Sequence, residues 1–146
     1  YDILLQEGCP GWMYQVKCGA TTTWERWDAL KPDGTVNEEK MAGSGDNMVS
    51  FNHYAFGSVG EFYYQYILGI KPQKPGFAEL HFEPYPDRRL GGVSGSYLSR
   101  AGKIESSWKY EEDGCHISLN TPVKSEVVLP DGKKETVEAG TYQWLC

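Results

Sequence analysis

From Ala78 onward, apolar side chains recur at every second position, and this alternation constrains the chain more than any other feature. Ala78, Leu80 and Phe82 alternate with Glu79, His81 and Glu83, and Ile104, Ser106, Trp108 and Tyr110 alternate with Lys103, Glu105, Ser107 and Lys109. A side-chain direction that repeats every two residues belongs to a strand with one buried face. Gly91-Gly92, Ala101-Gly102, Asp113-Gly114 and Asp131-Gly132 interrupt the pattern at hairpin intervals. Ile117/Leu119, Val127/Leu129 and Val137 carry it on to Tyr142 and Trp144. Residues 77–146 are therefore expected to form an antiparallel β-sandwich built mostly of local hairpins.

The first half has a different period. Phe51, Tyr54/Ala55, Ser58/Val59, Phe62 and Tyr66 recur every three to four residues, which predicts a helix from an N-cap at Ser50 to about Leu68. Asn52 and His53 fall in its first turn, and Gly69-Ile70-Lys71-Pro72 ends it. Gly57 and Gly60 weaken such a helix unless another element approaches closely there. Upstream, Tyr1–Gln6 reads as the last turns of a helix stopped by Gly8 and Pro10, and Trp12 follows on a loop. That indole either lines a pocket or covers the helix end. Lys31-Pro32-Asp33-Gly34 is a turn signal opening a polar loop to Asp46, in which Asn37-Glu38-Glu39-Lys40 reads as a solvated charge run. So long a connection suits a functional rim. Lys71–Gly76 reads as a linker, dividing the chain into residues 1–72 and 77–146.

The stretch Gly19–Asp28 concentrates the chemistry. Three consecutive threonines, Thr21 to Thr23, favour extended backbone, and the run ends by presenting Glu25 between Trp24 and Trp27. A carboxylate beside apolar rings is poorly solvated, which raises its proton affinity. Indole faces suit the C–H faces of a sugar, and Asp28 and Arg26 can bond hydroxyls. The segment is either a carbohydrate-processing site or an aromatic core hairpin with Glu25-Arg26 as a surface pair.

A net charge of -6 argues against nucleic acid or an anionic membrane as a partner. No apolar run approaches the roughly 20 residues of a membrane-spanning helix. The sequence opens without an initiator Met or a basic segment, so no signal peptide is visible, and the compartment stays open. Cys9, Cys18, Cys115 and Cys146 show no metal-ligand spacing, so neither a metal nor a cofactor is expected. Cys9 and Cys18 either pair or, like the others, are buried free thiols.

The segment Gly-Ala-Thr-Thr-x-Trp-Glu-Arg-Trp-Asp at 19–28, followed by Ser-Phe-Asn-His-Tyr-Ala-Phe-Gly-Ser-Val-Gly-Glu at 50–61, resembles the end of the catalytic domain of bacterial α-L-rhamnosidases. These are inverting glycoside hydrolases with an (α/α)6 barrel followed by a β-sandwich, and the resemblance extends more loosely from about Trp12 to the end. It implies an α+β chain with partial (α/α)6-barrel helices followed by an antiparallel β-sandwich. It also implies Glu25 as general base and His53 as a sugar contact. Trp24, Trp27, Trp12 and Asp28 are expected beside them, facing a rhamnose-containing glycan or glycoside. The family's general-acid motif, Asp-Cys-Pro followed by Glu-Arg, has no counterpart, since the one Glu-Arg pair is Glu25-Arg26 itself. Four or five of the barrel's six hairpins are missing too. The chain is thus expected to be a C-terminal piece without catalysis of its own, able to self-associate through helices left uncovered. Two alternatives remain: a purely structural accessory region of another (α/α)6 sugar enzyme, or a glycan-binding module using Tyr97, Trp108 or Trp144.

Overall fold

A computed structural model of the chain describes residues 1–39 and 49–146. They form two compact units, Tyr1–Val59 and Gly60–Cys146. The later part of the expected rim loop, from Lys40 to Asp46, lies outside the described residues.

The second unit is the sandwich that the alternation predicts. Its strands are β1 (Ile70–Pro72), β2 (Leu80–Phe82), β3 (Gly92–Ser99), β4 (Gly102–Glu111), β5 (Gly114–Thr121), β6 (Ser125–Val128), β7 (Lys134–Val137) and β8 (Gly140–Leu145). One sheet has the order β1-β2-β6-β7 and the other β3-β4-β5-β8. The β3-β4-β5 meander and the β6-β7 hairpin are local, as expected. One pairing departs from the antiparallel expectation: β2 and β6 run parallel, with Leu80 opposite Ser125 and Phe82 opposite Val127. The chain between them crosses to the other sheet and back, so no tight turn dictates their direction.

The core follows from the period. Ile104, Ser106 and Trp108 of β4 and Cys115, Ile117 and Leu119 of β5 turn inward, as do Leu80, Phe82 and Val127. Trp108 is 1% exposed, and Trp144 stacks on Phe82 across the two sheets with ring centroids 6.1 Å apart. Trp108 is therefore core and Trp144 half-buried, so neither is the exposed platform of the glycan-module reading. Tyr97 remains exposed, with its ring 4.8 Å from Phe77.

The expected linker is also part of the sheet. Lys71 pairs with His81 and Pro72 with Leu80, and the amides of Gln73 and Lys74 donate to Glu79 O. Pro72 is tolerated because β1 lies at a sheet edge.

The single helix expected from Ser50 to Leu68 is instead three short pieces: a 3-10 turn (Tyr54–Ser58), one α turn (α2, Val59–Phe62) and a π turn (Tyr63–Ile67). Gly57 and Gly60 lower helix propensity, and no atom lies within 4 Å of a Cβ built on either, so the expected close neighbour is not among the described residues. The π turn is closed by Leu68 N donating to Tyr63 O at 2.9 Å. It leaves two carbonyls to be satisfied by the sheet: Trp108 Nε1 donates to Ile67 O and Ser106 Oγ to Leu68 O, both at 2.6 Å. Gly69 then reverses the chain at φ +73, with Pro84 N only 2.3 Å from where a Cβ would stand.

In the first unit, Tyr1–Leu5 is one hydrogen-bonded turn, Leu5 N donating to Tyr1 O at 2.8 Å. Trp12 is not on a loop but opens a helix, α1 (Trp12–Lys17), whose amphipathic turn was too short to register as a period. The turn at Lys31–Gly34 forms as its residues predict, with Gly34 N donating to Lys31 O beneath a Leu30–Val36 bridge.

Candidate functional site

Two segments far apart in sequence are laced together in the first unit. Glu25 N donates to Ser50 O and His53 N to Thr23 O, each at 2.8 Å, so 23–25 and 50–53 run antiparallel. The threonines expected to extend the backbone also fasten it: Thr23 Oγ1 donates to His53 O and Thr22 Oγ1 to Phe51 O. Ser50 N donates to Glu25 Oε2 at 2.8 Å, which fixes the carboxylate against the segment that carries His53. Glu25 Oε1 has no partner among the described residues. Ser50 does not cap a helix; its Oγ accepts from Asn52 N. His53, in extended backbone at φ -111, stands immediately before the 3-10 turn and not inside it.

The aromatic residues divide into two groups. Trp12, Trp27 and Phe56 form a triangle with centroids 5.9 to 6.4 Å apart, and His53 lies 6.2 Å from Phe56. Tyr54 stacks on the His53 imidazole at 5.7 Å. Trp24 belongs elsewhere: it is 4% exposed and meets Phe51 edge-on at 5.1 Å. Contrary to expectation, its indole is core and presents no face to a ligand in this chain.

Asp28 is engaged on both oxygens. Arg26 grips it through Nε and Nη2 at 2.7 and 3.0 Å, and Asn37 Nδ2 donates to it at 2.9 Å. The guanidinium holds the Asp28 carboxyl below its usual range, and Asp28 in turn raises the Arg26 guanidinium. Arg26 Nη1 also donates to Glu39 O. Asp28 therefore serves this turn as an anchor, with no oxygen left wholly uncommitted. Asn37, expected in a solvated run, is instead 4% exposed.

Sequence reasoning passed over two residues here. Gln15 of α1 is 3% exposed and its Oε1 accepts from Trp24 N at 3.1 Å, holding the residue beside Glu25. A glutamine in a short helix carries no signal of such a task. Phe56 completes the ring cluster, although it lies outside the three-to-four-residue aromatic stripe of the sequence. Three polar atoms in this unit, Gln15 Nε2, Trp27 Nε1 and His53 Nδ1, are buried with no hydrogen-bond partner among the described residues. All four cysteines are free thiols; Cys18 is exposed and Cys9 half-buried, so neither is the buried thiol expected.

The first unit thus carries an aromatic cluster and a tethered carboxylate, and a sandwich follows it in the chain. Family models match both parts. The bacterial alpha-L-rhamnosidase 6 hairpin glycosidase domain matches residues 1–67, and the bacterial alpha-L-rhamnosidase C-terminal domain matches residues 69–143. The chain belongs to the bacterial α-L-rhamnosidase family. It is 37% identical over 132 residues to an alpha-L-rhamnosidase of Alteromonas sp. (strain LOR), covering 89% of this chain and 14% of that protein. An alpha-L-rhamnosidase of Streptomyces avermitilis is 33% identical over 140 residues, 94% of this chain and 13% of its own length. Among solved structures, native alfa-L-rhamnosidase from Aspergillus terreus superposes with a TM-score of 0.83 at 34% identity, covering 97% of this chain and 16% of that one. The Streptomyces avermitilis enzyme complexed with L-rhamnose gives 0.83 at 29% identity, covering 97% and 15%. The chain thus spans about 14% of the length of the curated relatives it matches.

Proposed function

We propose that this chain supplies the general base and part of the sugar-facing wall of an inverting α-L-rhamnosidase that removes terminal α-L-rhamnosyl residues. The observation that carries the reading is the lacing of 23–25 to 50–53, which fixes Glu25 and His53 on one small framework. Inverting hydrolysis needs a base that takes a proton from water and a separate acid on the leaving oxygen, roughly 6.5–9.5 Å apart. Glu25 suits the base. The Ser50 amide fixes Oε2 and leaves Oε1 to accept the proton. Trp12 and Trp27 would pack on the sugar ring, and His53 would contact the sugar beside them. Asp28 acts through Arg26 as a positioning residue, and Trp24 is left out of the sugar-facing set. The sequence offers no counterpart of the acid motif, so the 146 residues alone are proposed to be inactive.

The test is Glu25→Gln in the full-length enzyme. It keeps shape and removes proton affinity, so kcat should fall about 10²–10⁴-fold while binding survives. Azide should rescue Glu25→Ala on a substrate with a good leaving group, giving the inverted β-glycosyl azide. His53→Ala should raise KM as well as lower kcat, because a ground-state contact is lost. A Glu25→Gln enzyme within about threefold of wild-type kcat, far outside that range, would sink the assignment.

A further inference from the structure

The strand that ends the sandwich places two thiols side by side. β8 pairs with β5 with His116 opposite Leu145 and Ile117 opposite Trp144, and one step further that register sets Cys115 opposite Cys146. Cys115 N donates to Cys146 O at 2.8 Å, and Cys146 N donates to Cys115 O at 3.0 Å. Two residues that exchange both bonds stand with Cα atoms about 5.5 Å apart and both side chains on one face of the sheet. That face is the inner one: Cys115 is 3% exposed and lies in line with Ile117 and Leu119. Burial first and then the nearby Cys146 push the Cys115 thiol up.

We propose that Cys115 and Cys146 are a disulfide-forming site that fastens the end of β8 to β5. Their Cα separation falls inside the window of about 4.4–6.8 Å that a disulfide requires. Directly opposite Cβ atoms of a hydrogen-bonded pair stand towards the wide end of about 4.5–5.5 Å, so bridging draws the pair together by about 1–2 Å. Both thiols are free in the structure, and Cys146 is the half-buried, reachable partner. With a low-molecular-weight disulfide such as oxidised glutathione as the oxidant, the Cys146 thiolate attacks one glutathione sulfur and releases the first glutathione thiolate. Cys115, deprotonated, then attacks Cys146 Sγ and releases the second. Two protein thiols are oxidised to one disulfide, and one glutathione disulfide is reduced to two thiols, which take up the two protons. The bridge would close a loop of about thirty residues containing β6 and β7, restricting the unfolded chain.

Incubating the folded 146-residue chain with oxidised glutathione, then alkylating and mapping peptides by mass, tests this. The expected product is a Cys115–Cys146 cross-link with a mass lower by two hydrogens. The sandwich should also melt about 5–10 °C higher, a gain that dithiothreitol removes. Cys146→Ser, a change at a half-buried position whose fold is checked by circular dichroism, should lose both the cross-link and the gain. Cys9→Ser/Cys18→Ser should keep both. Glutathione persisting on Cys146 as a mixed disulfide, a cross-link confined to Cys9 and Cys18, or unchanged melting after cross-linking would each overturn the proposal.

Discussion

Glu83 offers a measurable handle on how the sandwich is held at its edge. Its carboxylate accepts from Lys71 Nζ of β1 at 2.7 Å and lies 3.3 Å from His81 Nε2. The Lys71 ammonium, helped by the hydrogen bonds of His81 and Tyr85 and opposed by burial, brings the carboxyl from 4.5 to about 2. A shift of that size corresponds to about 3 kcal/mol if none is lost to solvent. The side chains keep 19% and 26% of their surface, so screening reduces the expected worth to about 1–2 kcal/mol. The folded-state pKa is the lower one, so this stability is complete above the unfolded value near 4.5 and disappears as pH falls through about 2. Glu83→Gln should therefore destabilise the chain by about 1–2 kcal/mol at neutral pH, and by nearly nothing at the acid end of that window. Urea titrations followed by far-ultraviolet circular dichroism, run for both proteins at several pH values, read the difference directly. Lys71→Met should also destabilise the chain at neutral pH and reduce the pH dependence, since His81 and Tyr85 still lower the Glu83 carboxyl. Equal loss at neutral and acid pH would show that packing, not charge, is at work there.

Gly69→Ala should destabilise the sandwich by about 2–4 kcal/mol. Its Cβ would need both positive φ and space that Pro84 N occupies at 2.3 Å. Gly76→Ala, at φ +68 with nothing within 4 Å, should cost only about 1 kcal/mol in the same thermal melts. Equal losses would refute the steric argument. Residues 1–70 also carry exposed aromatic surface, Tyr54 at 92% and Tyr63, Tyr64 and Tyr66 at 40–43%. The isolated chain is therefore expected to associate at high concentration, and a clean monomer by light scattering would refute this.

The sandwich was legible because a half-buried strand writes its burial into every second residue. Ile104, Trp108, Ile117 and Leu119 could be assigned to the core from the alternation alone, and each is at most 1% exposed. The proposed general base, Glu25, and its neighbours were legible only through the motif at 19–28 and 50–61, since a carboxylate between indoles reads equally well as a surface ion pair. The helix from Ser50 failed because a stripe of aromatics at three-to-four spacing does not reveal which hydrogen-bond step the backbone takes. Two glycines inside it left the 3-10, α and π alternatives close in energy.

The amino-acid order by itself determined the strand faces, the turn at Lys31–Gly34 and the family to which the chain belongs. These depend on residues close together in the chain, whose period and turn chemistry are local. Tertiary structure alone decided which polar groups were satisfied and which were left over. It took Asp28 for Arg26 and Asn37, buried Trp24 under Gln15 and Phe51, and left His53 Nδ1 without a partner. It alone set β2 parallel to β6 and Cys115 opposite Cys146. Each of these joins segments separated by many residues, where no local preference favours one partner, and the choice falls to whatever packing satisfies the buried donors and acceptors together.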